Sequence, residues 1–148
     1  RMASPPRARP PAQRAGTANG RASVDYALVR RGVLADLARG RVRRDEVCDA
    51  DPLLRRAALM LGTPAGRACP VCAGDRLLHS TWLYGDELGA SSGRSAFPGE
   101  VDEVAAEHAE VRVYVVEVCA GCGWNHLIES YVVGHGREPS RPRRRARV

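Results

Sequence analysis

The chain of 148 residues has 5% aromatic residues and a formal net charge of +6. This length suits one domain or two small ones, and the few aromatic side chains limit the size of an unaided hydrophobic core. No apolar run approaches the roughly 20 residues of a membrane span. The arginine-rich start is not followed by the apolar block of a secretory signal, so we expect none.

The positive charge lies at the two ends of the chain. Residues 1–23 and 137–148 carry 11 arginines and one acid, whereas residues 24–136 carry 12 arginines and 16 acids. There is no lysine, and alanine, glycine and proline are abundant, which suggests a GC-rich genome. The arginine excess is therefore weak evidence for nucleic-acid binding, and the central part of the chain is mildly acidic.

Both ends have the composition of disordered tails. Residues 1–22 are rich in proline, arginine and alanine without periodicity, and residues 137–148 form a second basic stretch interrupted by proline. The block Arg143-Arg144-Arg145 could bind nucleic-acid phosphates through charge alone. We favour the alternative, a solvated tail, because charge runs are usually that.

Residues 23–62 have the pattern of three short helices. Ser23 is a suitable N-cap for a helix that starts at Val24, and Gly40 ends its apolar periodicity. A second short helix is predicted at 44–49. Asp51-Pro52 is a strong start signal for the third, with aspartate as the cap and proline at the first helical position.

Three short helices raise the possibility of a helix-turn-helix DNA reader. Asp45, Glu46 and Asp49 on the second helix would face phosphates unfavourably, so we expect a helical cap that packs on the rest of the protein. Cys48 lies among these acids. A lone cysteine is most often a small core residue, and the alternative is a redox role or a fifth metal ligand.

Two Cys-x-x-Cys pairs, Cys69-Pro70-Val71-Cys72 and Cys119-Ala120-Gly121-Cys122, organise residues 63–136. Strand-like residues follow each pair, and a turn followed by a strand, repeated, is the layout of a zinc ribbon. Metal-binding turns need a residue that tolerates positive φ just after the pair. Gly74 and Gly123 are the candidates for that position.

Four thiolates from two tight turns make the tetrahedral site that structural Zn²⁺ prefers. We therefore predict Cys69, Cys72, Cys119 and Cys122 as zinc ligands. The 46 residues between the pairs exceed the usual spacing, but the longer loop costs only roughly 0.8 kcal/mol of closure entropy. Zinc binding to such sites is worth on the order of 10–16 kcal/mol, so the insert does not argue against one shared site.

Two other interpretations of the cysteine pairs stay open. A thioredoxin-like redox pair would open a helix in a βαβ setting, whereas both pairs here lead into strands. An iron–sulfur site also uses four thiolates.

The insert at about 85–110 combines a polar, glycine-rich loop with a short helical pattern. It lacks the ending of a phosphate-binding loop. Residues 111–118 form the best strand pattern of the chain, with β-branched residues on both faces, as expected of a central strand.

Histidines and aromatic residues accompany the predicted ribbon. His79 and His126 could replace a ligand, but four cysteines already fill the site, so we expect surface positions or a role in supporting the ligands. The aromatic residues could stack bases or anchor a protein partner, although packing against the helices is the interpretation that we favour. They are Trp82, Tyr84, Tyr114, Trp124 and Tyr131.

Several linked motifs resemble a known family. They are VDYAL at 24–28, EVCDADP at 46–52, CPVC at 69–72, VEVC at 116–119 and WNHL at 124–127. The similarity covers roughly residues 24–134 and is to an uncharacterised zinc-ribbon-like domain family, a domain of unknown function, of high-GC Gram-positive bacteria. The resemblance implies a lineage and a compact cytoplasmic protein, and it implies no catalytic residue.

Together these patterns predict an α+β protein. A helical segment (23–62) packs on a C-terminal antiparallel zinc ribbon (63–136) with a helical insert, and the metal is structural. A site closed by four thiolates has no open position, and we recognise no nucleophile–base arrangement, so we expect no enzyme and no small-molecule substrate.

The leading expectation for function is a cytoplasmic adaptor or regulator that docks on a protein of a larger machine. Transcription or translation complexes are candidates by fold-level analogy only. The alternatives are a DNA- or RNA-binding protein that uses the arginine tails and ribbon aromatics, and a thiol-based redox or zinc sensor.

Overall fold

The computed structural model describes residues 23–136, and both predicted tails lie outside the described residues. A short 3₁₀ helix, Asp86–Ser91, follows the third strand. The other elements in this part of the chain are β1 (Ser23–Asp25), α1 (Ala27–Ala38), α2 (Arg44–Val47), α3 (Pro52–Leu61), β2 (Thr63–Pro64), β3 (Leu77–Tyr84), β4 (Arg94–Ala96), α4 (Glu100–Glu107), β5 (Val111–Cys119) and β6 (Asn125–Val133).

The strands form one six-stranded antiparallel sheet in the order β1-β6-β5-β3-β2, with β4 also paired to β3. The β-branched strand β5 lies between β3 and β6, as its sequence predicts. Its last residue, Cys119, pairs with Leu77, the first residue of β3. This register brings the turn before β3 and the turn after β5 to the same end of the sheet.

Two buried clusters divide the core. One cluster joins alternate residues of β5, such as Val111, Val113 and Val115, to Val101 and Val104 of α4, as the period of two in a strand requires. The second cluster lies at the end of the sheet that carries both cysteine pairs, which we call the metal end because the predicted ligands lie there. Its buried members are Val47, Ala65, Cys69, Leu77, Cys119 and Trp124.

The predicted helical segment packs on this second cluster. Val33, Leu34 and Leu37 of α1 contact it and are partly buried. The third helix begins as predicted, because the side chain of Asp51 accepts a hydrogen bond from the backbone N–H of Leu53 (2.7 Å) and Pro52 is the first helical residue.

The α+β class is confirmed, but two details of the prediction are wrong. The ribbon is part of a larger sheet, because β1 and β2 come from residues before the first cysteine pair. The first helix begins at Ala27 and not at Val24, since Ser23–Asp25 pairs with β6. Asp25, not Ser23, supplies the side-chain acceptor, for the backbone N–H of Ala27 (2.7 Å).

No helix among residues 23–136 has both the length and the apolar character needed to cross a membrane.

Candidate metal centre

The structure brings together the four cysteines that the sequence predicts as ligands. The sulfur atoms of Cys69, Cys72, Cys119 and Cys122 all lie within 4.8 Å of one another. Sγ of Cys69 is 3.7 Å from Sγ of Cys122, and Sγ of Cys72 is 3.7 Å from Sγ of Cys119. Each of these two contacts joins one turn to the other, so the two cysteine pairs lie side by side although 46 residues separate them in sequence.

The two turns have the same backbone hydrogen bonds. In each turn the first cysteine donates its N–H to the carbonyl five residues later, and its own carbonyl accepts from the N–H four residues later. The bonds are Cys69 to Gly74 (2.9 Å), Ala73 to Cys69 (2.9 Å), Cys119 to Trp124 (2.8 Å) and Gly123 to Cys119 (3.0 Å). Two copies of one turn therefore present their thiols to a common point.

The residue after each pair takes a left-handed conformation. Gly123 has φ +88°, as predicted, but in the first turn the position is Ala73 (φ +59°) and not Gly74. Alanine accepts this conformation at a modest cost, typically about 1–2 kcal/mol. At Gly123 a Cβ would also lie 3.0 Å from the carbonyl oxygen of Cys48, so this position needs glycine for space as well.

Backbone amides point at the sulfurs. Hydrogen bonds of this kind favour the charged thiolate over the thiol. The donors are the N–H of Val71 to Cys69 (3.5 Å), of Gly74 to Cys72 (3.4 Å), of Cys122 to Cys119 (3.5 Å) and of Trp124 to Cys122 (3.4 Å).

Burial has the opposite effect to these amides, because it disfavours the charged thiolate. It raises the pKa of the Cys69 thiol and that of Cys119. For Cys122, burial also acts to raise the pKa, but the amide of Trp124 and the neighbouring thiols outweigh it and lower the pKa to about 7. A divalent cation would replace the protons of such thiols, so metal binding here would release protons and weaken as pH falls.

The geometry and chemistry of the donor set fit Zn²⁺. A tetrahedron built from Zn–S bonds of about 2.3 Å has sulfur atoms about 3.8 Å apart, close to the two cross-turn distances of 3.7 Å. Two of the four cysteines, Cys69 and Cys119, are 3% and 0% exposed, as expected of ligands in a closed structural site. If zinc is bound, these four residues hold it, and it supplies a cross-link between the two turns.

A fully buried carboxylate lies beside the second turn. Glu117 is 0% exposed, and its Oε1 accepts hydrogen bonds from Nε (3.0 Å) and Nη2 (2.9 Å) of Arg30 and from Nε1 of Trp124 (2.8 Å). Its Oε2 accepts from Nη2 of Arg67. Arg67 and Glu117 each precede the first cysteine of their pair by two residues, so this ion pair joins the segments that lead into the two turns.

The groups around Glu117 determine whether its carboxyl group is protonated. Burial acts to raise the pKa of this carboxyl, but the hydrogen bond from Trp124 and the charges of Arg30 and Arg67 outweigh burial and lower the pKa below its usual value. Glu117 therefore remains ionised at neutral pH. Sequence patterns could have indicated this residue, because an acid at an inward-facing position of an apolar strand needs a buried partner.

Neither His79 nor His126, the two histidines considered as possible ligands, belongs to the cysteine cluster. Nε2 of His79 lies 3.9 Å from Oε2 of Glu117. Burial lowers the pKa of His79 and outweighs the opposite effect of the Glu117 charge, while Arg67 and Arg30 act in the same direction as burial. The ring of His126 stacks on Trp124 with a centroid distance of 5.9 Å. His79 therefore lies next to Glu117 and His126 next to Trp124, and a role in supporting the ligands stays a prediction.

The five predicted aromatic residues differ in exposure. Trp82 is partly exposed, and its Nε1 donates to Oγ of Ser80 (2.9 Å). Trp124 and Tyr131 are 0% and 3% exposed, so these two pack the core as favoured. Tyr84 is 44% exposed and makes an edge-to-face contact with Tyr114 at 5.4 Å between ring centroids.

Comparison with known proteins places these features in a lineage. The model of a family described as "Family of unknown function (DUF5318)" matches residues 17–147. "Uncharacterized protein Mb0050" of Mycobacterium bovis and "Uncharacterized protein Rv0049" of Mycobacterium tuberculosis are each 46% identical over 121 residues, which cover 82% of this chain and 88% of theirs. No solved structure matches. The relatives are mycobacterial, as the resemblance to a family of high-GC Gram-positive bacteria implied, and the chain belongs to the DUF5318 family of unknown function.

Proposed function

We propose that the protein is a non-enzymatic cytoplasmic adaptor in which a structural zinc ion holds a docking surface for a protein partner. Four thiolates complete a tetrahedral zinc ion and leave no position for a substrate. The buried carboxylate beside the site, Glu117, is engaged in ion pairs with Arg30 and Arg67. The arrangement favours a role in holding structure over a role in chemistry.

The observation that carries the proposal is the outer face of α3. Leu53, Leu59 and Met60 are 64%, 57% and 71% exposed, whereas Ala57 and Ala58 on the inner face are buried. Successive residues are 100° apart around a helix, so Leu53 and Met60 project in nearly the same direction, and Leu59 lies within a third of a turn of Met60. Large apolar side chains grouped in this way mark protein contact surfaces.

This helix is attached directly to the second metal turn. Nη2 of Arg55 donates to the carbonyl oxygens of Ala120 (3.0 Å) and Gly121 (2.9 Å). These two carbonyls belong to the residues between Cys119 and Cys122. A metal ion that orders the turn would therefore also fix the acceptors that hold α3, which couples the metal site to the docking surface.

Charge favours a protein partner over nucleic acid for this surface. The described residues carry 12 arginines against 16 acids, and nucleic-acid interfaces are strongly positive. The apolar face of α3 instead suits the apolar groove of a protein, in the way that an amphipathic helix lies in a groove. A transcription or translation assembly is one such partner by fold-level analogy.

The proposal predicts that Met60→Glu loses the partner. A tagged full-length chain is used to capture proteins from a lysate of its native host, with and without nuclease, and captured proteins are quantified by mass spectrometry. A charge at the centre of an apolar contact typically costs 2 kcal/mol or more, so we expect recovery of the partner to fall about 30-fold or more. Phe97→Glu, which changes a 52% exposed side chain between β4 and α4, is the matched control and should retain the partner.

Two results would contradict the proposal. Equal capture by the wild type and Met60→Glu would show that α3 is not the docking surface. Loss of the captured proteins after nuclease treatment would show that nucleic acid mediates the capture. It would favour the alternative in which the arginine tails bind nucleic acid.

A further inference from the structure

A fifth cysteine touches the four-cysteine cluster from outside. Cys48 lies at the C-terminal end of α2, and its thiol donates a hydrogen bond to Sγ of Cys122 at a sulfur–sulfur distance of 3.7 Å. It is not a member of the group whose sulfurs all lie within 4.8 Å of one another. Cys48 packs against the second buried cluster but is itself only partly buried, and its thiol has a specific neighbour.

Three contacts hold Cys48 in this place. The backbone N–H of Ala50 donates to the carbonyl of Gly123 (3.0 Å), and Nδ2 of Asn125 donates to Oδ1 of Asp49 (2.9 Å). The carbonyl of Cys48 also lies against Gly123, which leaves no room for a Cβ there. The segment that carries Cys48 is thus attached to Gly123 and Asn125, which closely follow Cys122, so the two sulfurs are kept as neighbours.

Both sulfurs of this pair belong to partly exposed residues. Cys48, Cys72 and Cys122 are partly exposed, whereas Cys69 and Cys119 are buried, and of the exposed three only Cys48 and Cys122 are joined by a sulfur–sulfur contact of 3.7 Å. Cys48 also lies outside the predicted ligand set, so its sulfur would keep a free electron pair while the other four bind a metal. Closing 3.7 Å to the roughly 2.05 Å of a disulfide needs a movement of the two side chains by less than 2 Å together.

We propose that Cys48 and Cys122 form an oxidation site for hydroperoxides, in which a disulfide between them removes Cys122 from the metal. This goes beyond the adaptor role and does not depend on the docking partner, although its second half rests on the four-cysteine metal site.

The chemistry balances with hydrogen peroxide as the oxidant. The Cys122 thiolate attacks one peroxide oxygen, the O–O bond breaks, and the departing hydroxide takes up a proton to become water, which leaves a sulfenic acid on Cys122. The sulfur of Cys48 then attacks that sulfur, the S–O bond breaks, and the leaving hydroxide takes the thiol proton of Cys48. Two thiols have lost two electrons, and one peroxide has become two waters.

The disulfide leaves three cysteines for the metal. Loss of a residue that merely supports a ligand typically weakens metal binding about 10–100-fold, and loss of a ligand should weaken it at least as much. The carbonyls that accept from Arg55 lie in the same turn as Cys122, so oxidation would also loosen the attachment of α3.

The test treats the zinc-loaded full chain with hydrogen peroxide and follows two signals. Peptide mapping by mass spectrometry identifies the disulfide, and a chromogenic chelator measures the zinc released. We expect a Cys48–Cys122 disulfide to form first, and Cys48→Ser to release zinc about tenfold more slowly than the wild type or slower still. Thioredoxin-type reduction with added zinc should restore the loaded protein.

Other outcomes of this experiment would contradict the proposal. A first disulfide within the ligand set, such as Cys69–Cys72, would overturn it, and so would zinc release from Cys48→Ser at the wild-type rate. Cys48→Ala is tested in parallel, with circular dichroism before oxidation, so that a folding defect in one variant is recognised. If the chain bound no metal, peptide mapping would still report the Cys48–Cys122 bond, which separates failure of this inference from failure of the metal site.

Discussion

Cys119→Ala is expected to abolish metal binding and to destabilise the protein by more than about 5 kcal/mol. Structural zinc binding is worth on the order of 10–16 kcal/mol and is coupled to folding. Cys119 is 0% exposed and ends β5, opposite Leu77, so its loss affects both turns. Thermal unfolding followed by circular dichroism should show a midpoint at least about 10–20 °C lower, and elemental analysis should show zinc below one per chain.

Cys48→Ser is the matched control for this experiment. It also removes a thiol at the metal end, but from outside the four-sulfur group, so zinc should remain at one per chain under reducing conditions. A Cys119→Ala protein that kept its zinc and its unfolding midpoint would contradict the assignment of the ligand set.

Glu117→Gln is expected to destabilise the protein by about 3–5 kcal/mol, the usual cost of removing one partner from a buried ion pair. The amide keeps the size of the side chain but leaves Arg30 and Arg67, whose side chains are 14% and 19% exposed, without this counter-charge. Urea unfolding of the zinc-loaded variant measures the change. Glu107→Gln, at an exposed position of α4, should change the free energy of unfolding by less than about 0.5 kcal/mol.

The difference in stability between the wild type and Glu117→Gln should also depend on pH. The pKa of Glu117 is lowered in the folded protein, so its stabilising effect is fully present above the unfolded-state value of 4.5 and is lost as pH falls through the lower folded value. The stability difference between the wild type and Glu117→Gln should therefore be constant from neutral pH down to about 5 and shrink below that. A difference that is absent at pH 7 would show that the buried carboxylate is not a stabilising charge.

The cysteine pattern predicted the candidate site because short-range geometry determines most of it. A Cys-x-x-Cys turn places its two sulfurs by local backbone conformation, and the strand pattern of 111–118 indicated how Cys119 would be delivered. The pairing of Leu77 with Cys119 then follows, because β3 begins shortly after the first cysteine pair and β5 ends at the second. The turn residue after the first pair was misplaced by one position, because alanine at φ +59° contradicts the usual preference for glycine.

Long-range pairing explains what the sequence did not show. Ser23 and Asp25 are both good caps, and only the pairing of Ser23–Asp25 with β6 decides that the chain is extended there. Arg30 and Glu117 are 87 residues apart, and neither residue type indicates its partner. Cys48 meets Cys122 across 74 residues, a contact that depends on how α2 packs against the second turn.

Metal analysis of the protein purified from its native host under reducing conditions tests the central claim, that four cysteines hold one structural zinc ion. We expect one zinc per chain, no visible absorbance, and four thiols that react slowly until a chelator removes the metal. A protein without zinc whose five thiols all react at once would contradict that claim, and so would the visible absorbance of an iron–sulfur cluster.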